Sequence, residues 1–425
     1  MIKKFTLSIT VFLSFLQLQS QDTINLVHYN LLHYNNYTSY CTSSNNPLDE
    51  KNASLKVILD HKRPDIFTVN EMHCSSQTAD ILLDEVLNIG GIDYYQRAGM
   101  SCTGYLSNMI YYNSEKLGLA SQDAVQTNVR VIDIYKLYHI PEDADLISDT
   151  IFLHVIVAHL KAGNDGDDAA ERADEVQKLL DHLEQYYTPG NFVFAGDYNV
   201  YTSSETAFTK LINPDAPFRF FDPVEMIGNW HNNEYFAPVH TQSTHTSGGC
   251  PSSGGMDDRF DFILATEQLI NGTAGVYYLP NSYHAIGQDG EHFNLSLLDP
   301  PTNTSVPQDV LQALYTMSDH LPVSMKVVVG EAAGINDFLP EHIRHLRVLN
   351  PVNHDINIRI FARMAQKINV ELIDVMGRKI DSWDFFLHNG NNRIGFESVI
   401  SSPGVYFLRF SFADGTHVTK KILKY

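Results

Sequence analysis

Five short polar motifs occur in a fixed order along this chain, and four of them lie on or directly after an apolar, strand-like run. The motifs are Asn30 in VHYNLL, Glu71 in PDIFTVNEM, His159 in VIVAHLK, Asp197 with Asn199 in FVFAGDYNV, and Asp319 with His320 in MSDHLPV. A strand end is a rigid position that holds a side chain to the tolerance that catalysis requires, and the loop beyond it leaves room for a substrate. Carboxylates, amides and histidines held in this way are the groups that a metal-assisted phosphoester hydrolase needs. The order of the motifs therefore predicts a site of that kind.

The motifs and their order resemble the endonuclease/exonuclease/phosphatase superfamily. The resemblance extends from Thr23 to Gly330, and it implies an α/β (α+β) fold of two packed mixed β-sheets flanked by helices. Helices, strands and active-site loops alternate along this region without the GxGxxG or P-loop signature of a nucleotide-cofactor fold. We therefore expect residues 22–330 to form one catalytic domain.

The resemblance implies a metal site built from Glu71, Asn30 and Asp319. Glu71 matches the metal-binding glutamate of the family, and Asn30 beside it holds metal or phosphate. Asp319 completes the metal and water environment, so it counts as both a ligand and a catalytic residue. A ligand set of carboxylates and an amide favours Mg²⁺ over zinc, with Mn²⁺ or Ca²⁺ as alternatives.

The other motif residues match the groups that act on water and phosphate in the family. Asp197 matches the residue that orients or deprotonates the attacking water, and Asn199 matches the amide that contacts phosphate. His320 looks like the imidazole that faces the scissile phosphate, held by Asp261 of DDRFDFIL. His159 matches the second histidine of the deoxyribonuclease and sphingomyelinase branches.

Arg259 is a candidate substrate-binding cation. It lies two residues before Asp261, and period-two alternation along a strand would place both side chains on one face. Two alternatives follow for its partner: the guanidinium contacts phosphate, or it pairs with Asp257 or Asp258.

Two further features bear on the surroundings of the site. Arg172, like Lys161, is a candidate contact for phosphate, but because it lies in a helical pattern we interpret it first as a helix-surface residue that pairs with nearby acids. The segment from Trp230 to Asp258 is rich in Gly, Ser, Thr and His, and its histidines lack the spacing of a zinc cluster. We interpret it as a flexible loop that helps to choose the substrate.

The ends of the chain indicate export. Residues 1–20 have two lysines followed by an apolar stretch and then small polar residues, which is typical of a secretory signal peptide. Residues 343–425 form short alternating strands that resemble the C-terminal sorting domain of type IX secretion in Bacteroidetes-type bacteria, with 331–342 as a linker; the alternative is a generic carbohydrate-binding or immunoglobulin-like module. No later segment reaches the ~18 apolar residues of a membrane span. We expect a secreted or cell-surface protein, exported through the periplasm and monomeric.

Charge argues against tight binding to a polyanion. Residues 21–330 contain 15 Lys and Arg against 40 Asp and Glu, a net charge of −25, within a whole-chain charge of −21. Such a surface repels nucleic acid at long range, although divalent cations outside the cell can screen the approach.

The chain has four cysteines, Cys41, Cys74, Cys102 and Cys250. An even number in an exported chain predicts two disulfides, with three possible connectivities. No pair has the CxxC spacing of a zinc site.

Taken together, these features predict a secreted, divalent-metal-dependent phosphodiesterase, with extracellular nucleic acid as the leading substrate. A phospholipid phosphodiesterase of the sphingomyelinase kind is the nearest alternative. The other alternative is a non-catalytic surface-binding protein that has kept the fold.

Overall fold

The computed structural model describes residues 22–141, 150–329, 342–348, 355–397, 399–400 and 402–424, together with residues 340 and 352. The chain divides into two compact units, Met1–Ala332 and Ala333–Tyr425. The predicted signal peptide and residues 331–339 of the predicted linker lie outside the described residues. Among the helices that the structure describes, none combines the length and the hydrophobicity of a membrane span.

The first unit alternates strands and helices along the chain. Its strands are β1 (Asp22–Tyr34), β2 (Ile66–His73), β3 (Tyr95–Arg97), β4 (Leu106–Asn113), β5 (Leu117–Val125), β6 (Ile132–His139), β7 (Phe152–His159), β8 (Phe192–Asp197), β9 (Phe220–Phe221), β10 (Asp261–Thr266), β11 (Val276–Tyr278), β12 (His284–Ala285) and β13 (Val323–Val329). Its α-helices are α1 (Leu48–Lys62), α2 (Ser76–Leu82), α3 (Gly166–Tyr186), α4 (Thr206–Leu211), α5 (Glu267–Asn271) and α6 (Gln308–Met317). A π-helical turn, Leu83–Leu87, continues α2, and a 3-10 helix spans Glu234–Val239.

The strands of the first unit form two sheets. The first sheet has the order β11-β13-β1-β2-β4-β3, with β12 beside β13, and the second has the order β5-β6-β7-β8-β10-β9. In the first sheet β1 and β2 are parallel while β1 and β13 are antiparallel, and in the second β7 and β8 are parallel while β8 and β10 are antiparallel. The expected fold of two packed mixed sheets with helices is confirmed.

The central strands of the second sheet are buried on both faces. In β7, Val155 and Val157 face a core that they share with the first sheet, while Ile156 and Ala158 face a second core formed with α3 and α4. Strands covered on both sides are continuous apolar runs rather than alternating ones. This burial explains why the sequences before His159 and Asp197 are uniformly apolar.

The second unit is a small all-β structure. Its strands are β14 (Ile343–Val348), β15 (Asp355–Ala362), β16 (Gln366–Asp374), β17 (Lys379–Leu387), β18 (Gly390–Glu397), β19 (Gly404–Phe412) and β20 (His417–Lys424). They form a three-stranded sheet, β14-β15-β18, and a four-stranded sheet, β17-β16-β19-β20. Ile358 and Ile360 of one sheet share a buried core with Val370 and Leu372 of the other, as the alternating pattern of the sequence predicts.

Candidate active site

Parallel pairs of strands, together with the antiparallel pair of β8 and β10, bring the predicted site residues to the same end of the sheets. In the first sheet, Asn30 of β1 lies opposite Asn70 of β2, one residue before Glu71. In the second sheet, His159 of β7 and Asp261 of β10 both lie opposite Asp197 of β8. The register of neighbouring strands therefore assembles residues that are far apart in the sequence.

The close approach of β7 and β8 at this end depends on Gly196. A Cβ atom at this position would clash with the backbone oxygen of Ala158. The glycine of the GDYN motif therefore lets β8 lie against β7 immediately before Asp197.

Glu71, His159 and Asp197 form a compact cluster of possible metal ligands. Their ligand atoms all lie within 4.8 Å of one another. His159 Nε2 is 3.5 Å from Asp197 Oδ2 and 3.9 Å from Glu71 Oε1. Burial lowers the pKa of His159 well below its ordinary value, which favours the neutral imidazole. Two carboxylates and a neutral imidazole are donors that suit a divalent cation.

Asn30 joins this cluster through its amide nitrogen. Nδ2 donates to Asp197 Oδ2 at 2.9 Å and to Glu71 Oε1 at 3.1 Å, while Oδ1 accepts from the backbone N–H of Leu32. The buried amide thus bridges the two carboxylates and ties the first sheet to the second.

The backbone is strained at two of the predicted residues. Glu71 has φ of 59° and Asn199 has φ of 51°, both in the left-handed region. Side chains other than glycine rarely adopt this conformation, and such residues cluster at functional sites. The Asn199 N–H donates to Asp197 Oδ1 at 3.0 Å, and its side chain donates to the Leu160 oxygen.

His320 forms the second half of the site with Asp261. Its Nδ1 donates to Asp261 Oδ2 at 2.7 Å, and its Nε2 lies 3.7 Å from Asp197 Oδ2. Burial alone would lower the pKa of His320, but the Asp261 and Asp197 carboxylates outweigh it and raise that pKa well above its ordinary value. The rings of His159 and His320 are both almost fully buried. The two environments therefore differ in charge and not in exposure.

Only one of the two Asp319 carboxylate oxygens accepts hydrogen bonds from the described residues. Oδ2 accepts from the Ser252 N–H at 2.8 Å and from Gln242 Nε2 at 3.3 Å. Oδ1 is buried and has no hydrogen-bond partner among the described residues. A buried, unpartnered carboxylate oxygen is costly unless a ligand satisfies it, so this atom fits a role in binding a cation or its water.

A buried polar chain that the motifs do not include supports Asp197. The Asp197 N–H donates to Asn70 Oδ1 at 2.9 Å, Asn70 donates to Asn108 at 2.7 Å, and Asn108 donates to Asp133 at 3.0 Å. Ser101 donates to the other oxygen of Asp133. Asn70 directly precedes the Glu71 motif residue in β2, and this polar neighbour is the local sequence signal for the hydrogen-bonded residues.

Lys51 was also missed by the sequence reasoning. It is 1% exposed, and its Nζ donates to the Leu31 oxygen at 2.9 Å and to the Met317 oxygen at 2.6 Å. Burial lowers the pKa of Lys51 to about 7, while the Asp319 and Glu71 carboxylates act in the opposite direction. Lys51 therefore links the chain just after Asn30 to the chain just before Asp319.

The expected partners of Arg259 were wrong. Its side chain has no exposed surface and forms a two-pronged ion pair with Asp222, with both nitrogen–oxygen distances at 2.8 Å. Asp258 instead pairs with His231 at 2.8 Å. Period-two alternation does not apply to Arg259, because β10 begins at Asp261 and Arg259 lies before the strand. We do not retain Arg259 as a substrate contact.

Arg172 is not a surface residue. Its side chain is 1% exposed, pairs with Glu205 at 2.7 Å and donates to the backbone oxygens of Lys161 and Gly163. The guanidinium therefore anchors the loop that follows His159 to α3 and to the chain after Asn199.

The segment from Trp230 to Asp258 packs against the site rather than forming an open loop. Trp230 is fully buried, and the Thr241 hydroxyl accepts from the N–H groups of Phe260 and Asp261. Of the three connectivities, the structure contains Cys41–Cys250 and Cys74–Cys102. The first bridge fixes this segment to the loop that follows β1.

Several solved structures resemble this chain at low sequence identity. Humanized D. rerio TDP2 with 14 mutations is 14% identical, with a TM-score of 0.44, over 72% of this chain and 98% of that chain. An endonuclease/exonuclease/phosphatase family protein from Bacteroides thetaiotaomicron is 13% identical, with a TM-score of 0.46, over 73% of this chain and 96% of that chain. A mannosyl-6-phosphatase from Bacteroides thetaiotaomicron VPI-5482 is 13% identical, with a TM-score of 0.44, over 72% of this chain and 99% of that chain. No curated protein matches the chain.

Family models match both units. The secretion system C-terminal sorting domain matches residues 350–425, which marks a type IX secreted or cell-surface protein of Bacteroidetes. The Endonuclease/Exonuclease/phosphatase family model matches residues 27–320 and so spans the site from the first sheet to His320. Members of that family are phosphoester hydrolases. The chain therefore belongs to the endonuclease/exonuclease/phosphatase family and carries a C-terminal sorting domain for type IX secretion.

Proposed function

We propose that this protein is a secreted, divalent-metal-dependent phosphodiesterase that hydrolyses extracellular nucleic acid. One observation carries the proposal: Glu71, His159 and Asp197 converge within 4.8 Å of one another, and His320 with its partner Asp261 faces the same Asp197 carboxylate. A metal-ligand cluster beside a carboxylate-held histidine is what phosphoester hydrolysis by water requires.

The residues fit a hard cation, with Mg²⁺ first and Mn²⁺ or Ca²⁺ as alternatives. Glu71 would hold it, with Asn30 and Asp319 completing the environment, and the unpartnered Asp319 oxygen supports this assignment. When bound, the cation supplies positive charge to a phosphate oxygen in the transition state.

The protein groups have separate roles in the proposed reaction. Asp197 orients the attacking water and accepts its proton, since its carboxylate is buried at the centre of the site. Asn199 donates a hydrogen bond to a phosphate oxygen. His320, with Nδ1 fixed by Asp261, presents Nε2 to the phosphate or to the departing oxygen. His159 contributes a neutral imidazole to the cluster with Glu71 and Asp197.

An aromatic rim beside Glu71 supports nucleic acid as the substrate. Tyr40 is 55% exposed, and its hydroxyl lies 3.3 Å from His33 Nε2, while the His33 N–H donates to Glu71. Tyr37 and Tyr105 are also exposed, and the Tyr105 carbonyl accepts from the N–H of Cys74, three residues after Glu71. Exposed aromatic rings beside a phosphate site offer stacking surfaces to nucleobases at about 1–3 kcal/mol per base.

A substrate panel tests the proposal. The purified mature protein is incubated with plasmid DNA, RNA and sphingomyelin, each with Mg²⁺, with Ca²⁺ and with chelator, and His320→Ala serves as the inactive control. We expect cleavage of nucleic acid that requires the divalent ion and is lost in the control. Turnover of sphingomyelin without nuclease activity would establish the phospholipid alternative, and no hydrolysis of any substrate would favour a binding protein.

A further inference from the structure

The side-chain amide of Gln242 lies between two residues of the proposed site. Its Nε2 is 2.7 Å from His320 Nε2 and 3.3 Å from Asp319 Oδ2. The residue is half-buried, so a substrate can reach it. None of the five motifs includes Gln242.

The backbone around Gln242 fixes the position of this amide. Gln242 exchanges backbone hydrogen bonds with Asp258, and an isolated β-bridge joins it to His320. The hydroxyl of the preceding residue, Thr241, accepts from the N–H of Asp261, whose side chain holds His320. Gln242 is therefore anchored to the same two segments that carry the His320–Asp261 pair.

The Gln242 amide can form a hydrogen bond with His320 whether or not Nε2 of the imidazole is protonated. Rotation about the terminal bond exchanges its nitrogen and oxygen, so Gln242 can donate to or accept from the imidazole. A phosphate oxygen that enters between Asp319 and His320 is an acceptor, and the amide can donate to it without bringing a charge.

The neutrality of the Gln242 side chain matters because several carboxylates lie in the site. The site contains the four carboxylates of Glu71, Asp197, Asp261 and Asp319, which together carry more negative charge than one divalent cation offsets. Two nearby cations are already engaged: Arg259 pairs with Asp222, and Lys51 Nζ donates to two backbone oxygens. Gln242 thus occupies a corner where a cation would offset the charge of a bound phosphate.

This arrangement disfavours phosphate groups of high charge. A phosphodiester carries one negative charge, whereas a phosphomonoester carries about −1.5 to −2 near neutral pH. The extra charge is repelled by the carboxylate charge that the bound cation does not offset, and the repulsion is strong at short distance in a buried site.

We propose that Gln242 is a specificity-determining substrate contact: it donates a hydrogen bond to a non-bridging phosphate oxygen, and its neutrality makes the site prefer phosphodiesters to phosphomonoesters. This inference rests on the proposed phosphodiesterase function. It identifies Gln242 as the residue that determines the preference for phosphodiesters over phosphomonoesters.

The test compares two small substrates, bis(p-nitrophenyl) phosphate as the diester and p-nitrophenyl phosphate as the monoester. The value of kcat/KM is measured for the wild type, Gln242→Lys and Gln242→Met, at one saturating Mg²⁺ concentration. Gln312→Lys adds the same charge at an exposed position on α6 and serves as the matched control. Thermal unfolding verifies that each variant is folded.

We expect Gln242→Lys to raise the ratio of monoester to diester kcat/KM by about tenfold, because the ammonium offsets the second phosphate charge. Gln242→Met keeps the volume but loses the donor, so diester kcat/KM should fall by about tenfold. The Gln312→Lys control should keep the wild-type ratio.

An unchanged ratio in Gln242→Lys, in a wild type that hydrolyses the diester, would overturn the inference and leave the proposed function standing. If the lysine variant does not fold, Gln242→Met decides, and wild-type diester kcat/KM in that variant would equally overturn it. A folded wild type without diester hydrolysis would remove both the inference and the proposed function.

Discussion

At the scale of single residues, Asp197 is where the two halves of the site meet. Its Oδ2 lies 2.9 Å from the Asn30 amide, 3.5 Å from His159 and 3.7 Å from His320. Burial raises the pKa of Asp197 above its ordinary value. An aspartate that is poised between an imidazole and a metal-ligand cluster is suited to accept a proton from water.

We expect Asp197→Ala and His320→Ala each to lower kcat by about 10²- to 10⁴-fold, because each residue acts on the transition state. Asp261→Asn should be less damaging, since it weakens the orientation of His320 but leaves the imidazole in place. Steady-state kinetics on the diester substrate measures the effect, and circular dichroism verifies the fold. If His320→Ala unfolded the protein, a structural role for this histidine would replace the catalytic one.

Metal dependence is tested at Glu71. Chelation should abolish activity, and Glu71→Gln should weaken metal binding by at least about tenfold, because the variant loses a charged ligand. Titration of activity with Mg²⁺ should show partial recovery of the variant at excess metal. Full activity of Glu71→Gln at limiting Mg²⁺ would contradict the assignment of Glu71 as the ligand.

At the scale of structural elements, the pair of Arg259 and Asp222 joins the start of β10 to the chain directly after β9. Both side chains are fully buried, so removal of the arginine leaves the Asp222 carboxylate without its charged partner, although the backbone N–H groups of Val224 and Met226 still donate to it. We expect Arg259→Met to lower the free energy of unfolding by about 3–5 kcal/mol. Urea denaturation measures this change, and the double variant with Asp222→Asn should recover part of it.

A surface pair in the same unit provides the control for that experiment. Arg63 lies 3.4 Å from Asp60, and both side chains are about 60% exposed. Arg63→Met should change the unfolding free energy by about 0–1 kcal/mol. Equal losses in Arg259→Met and Arg63→Met would show that the buried pair contributes no more than an exposed one.

The elements also show how far the sequence alone could lead. Apolar runs that end in a polar motif predicted the ends of β7 and β8 correctly, at His159 and Asp197, because each run records local burial on both faces of a sheet. The strands β1 and β2 instead continue past Asn30 and Glu71. The partners of Arg172 and Arg259 could not be predicted, since Glu205 and Asp222 lie more than 30 residues away and no local pattern links them. Gln242 was missed for the same reason, because its place beside His320 depends on how a long segment packs.

At the scale of the whole molecule, the charge of the catalytic domain opposes a polyanionic substrate. The net charge of −25 over residues 21–330 repels nucleic acid, and divalent cations screen that repulsion better than Na⁺. We expect nuclease activity to fall only mildly, or to rise, between about 50 and about 200 mM NaCl. Initial rates on plasmid DNA at fixed Mg²⁺ measure this dependence. A steep fall over the same range would reveal a basic groove and refute the charge argument.

The two compact units lead to a separate prediction about the C-terminal residues. The proposed catalytic residues all precede Gly330, and residues 343–425 contribute none of them. A chain that ends at Gly330 should therefore hydrolyse the diester substrate at the wild-type rate but stay in the periplasm and not reach the medium. Activity of the purified truncated protein and its distribution between cells and medium are the two measurements. A soluble truncated protein without hydrolysis would show that the sorting domain is needed for catalysis.

The cell compartment determines when the two disulfide bridges can form. Cys41–Cys250 tethers the chain after β1 to the segment that carries Gln242, and Cys74–Cys102 tethers the end of β2 near Glu71. Thiols stay reduced in a bacterial cytoplasm and pair in the oxidising space beyond the inner membrane. The four cysteines of a newly made chain are therefore reduced, and the two disulfides of the nuclease proposed here form at the stage of export.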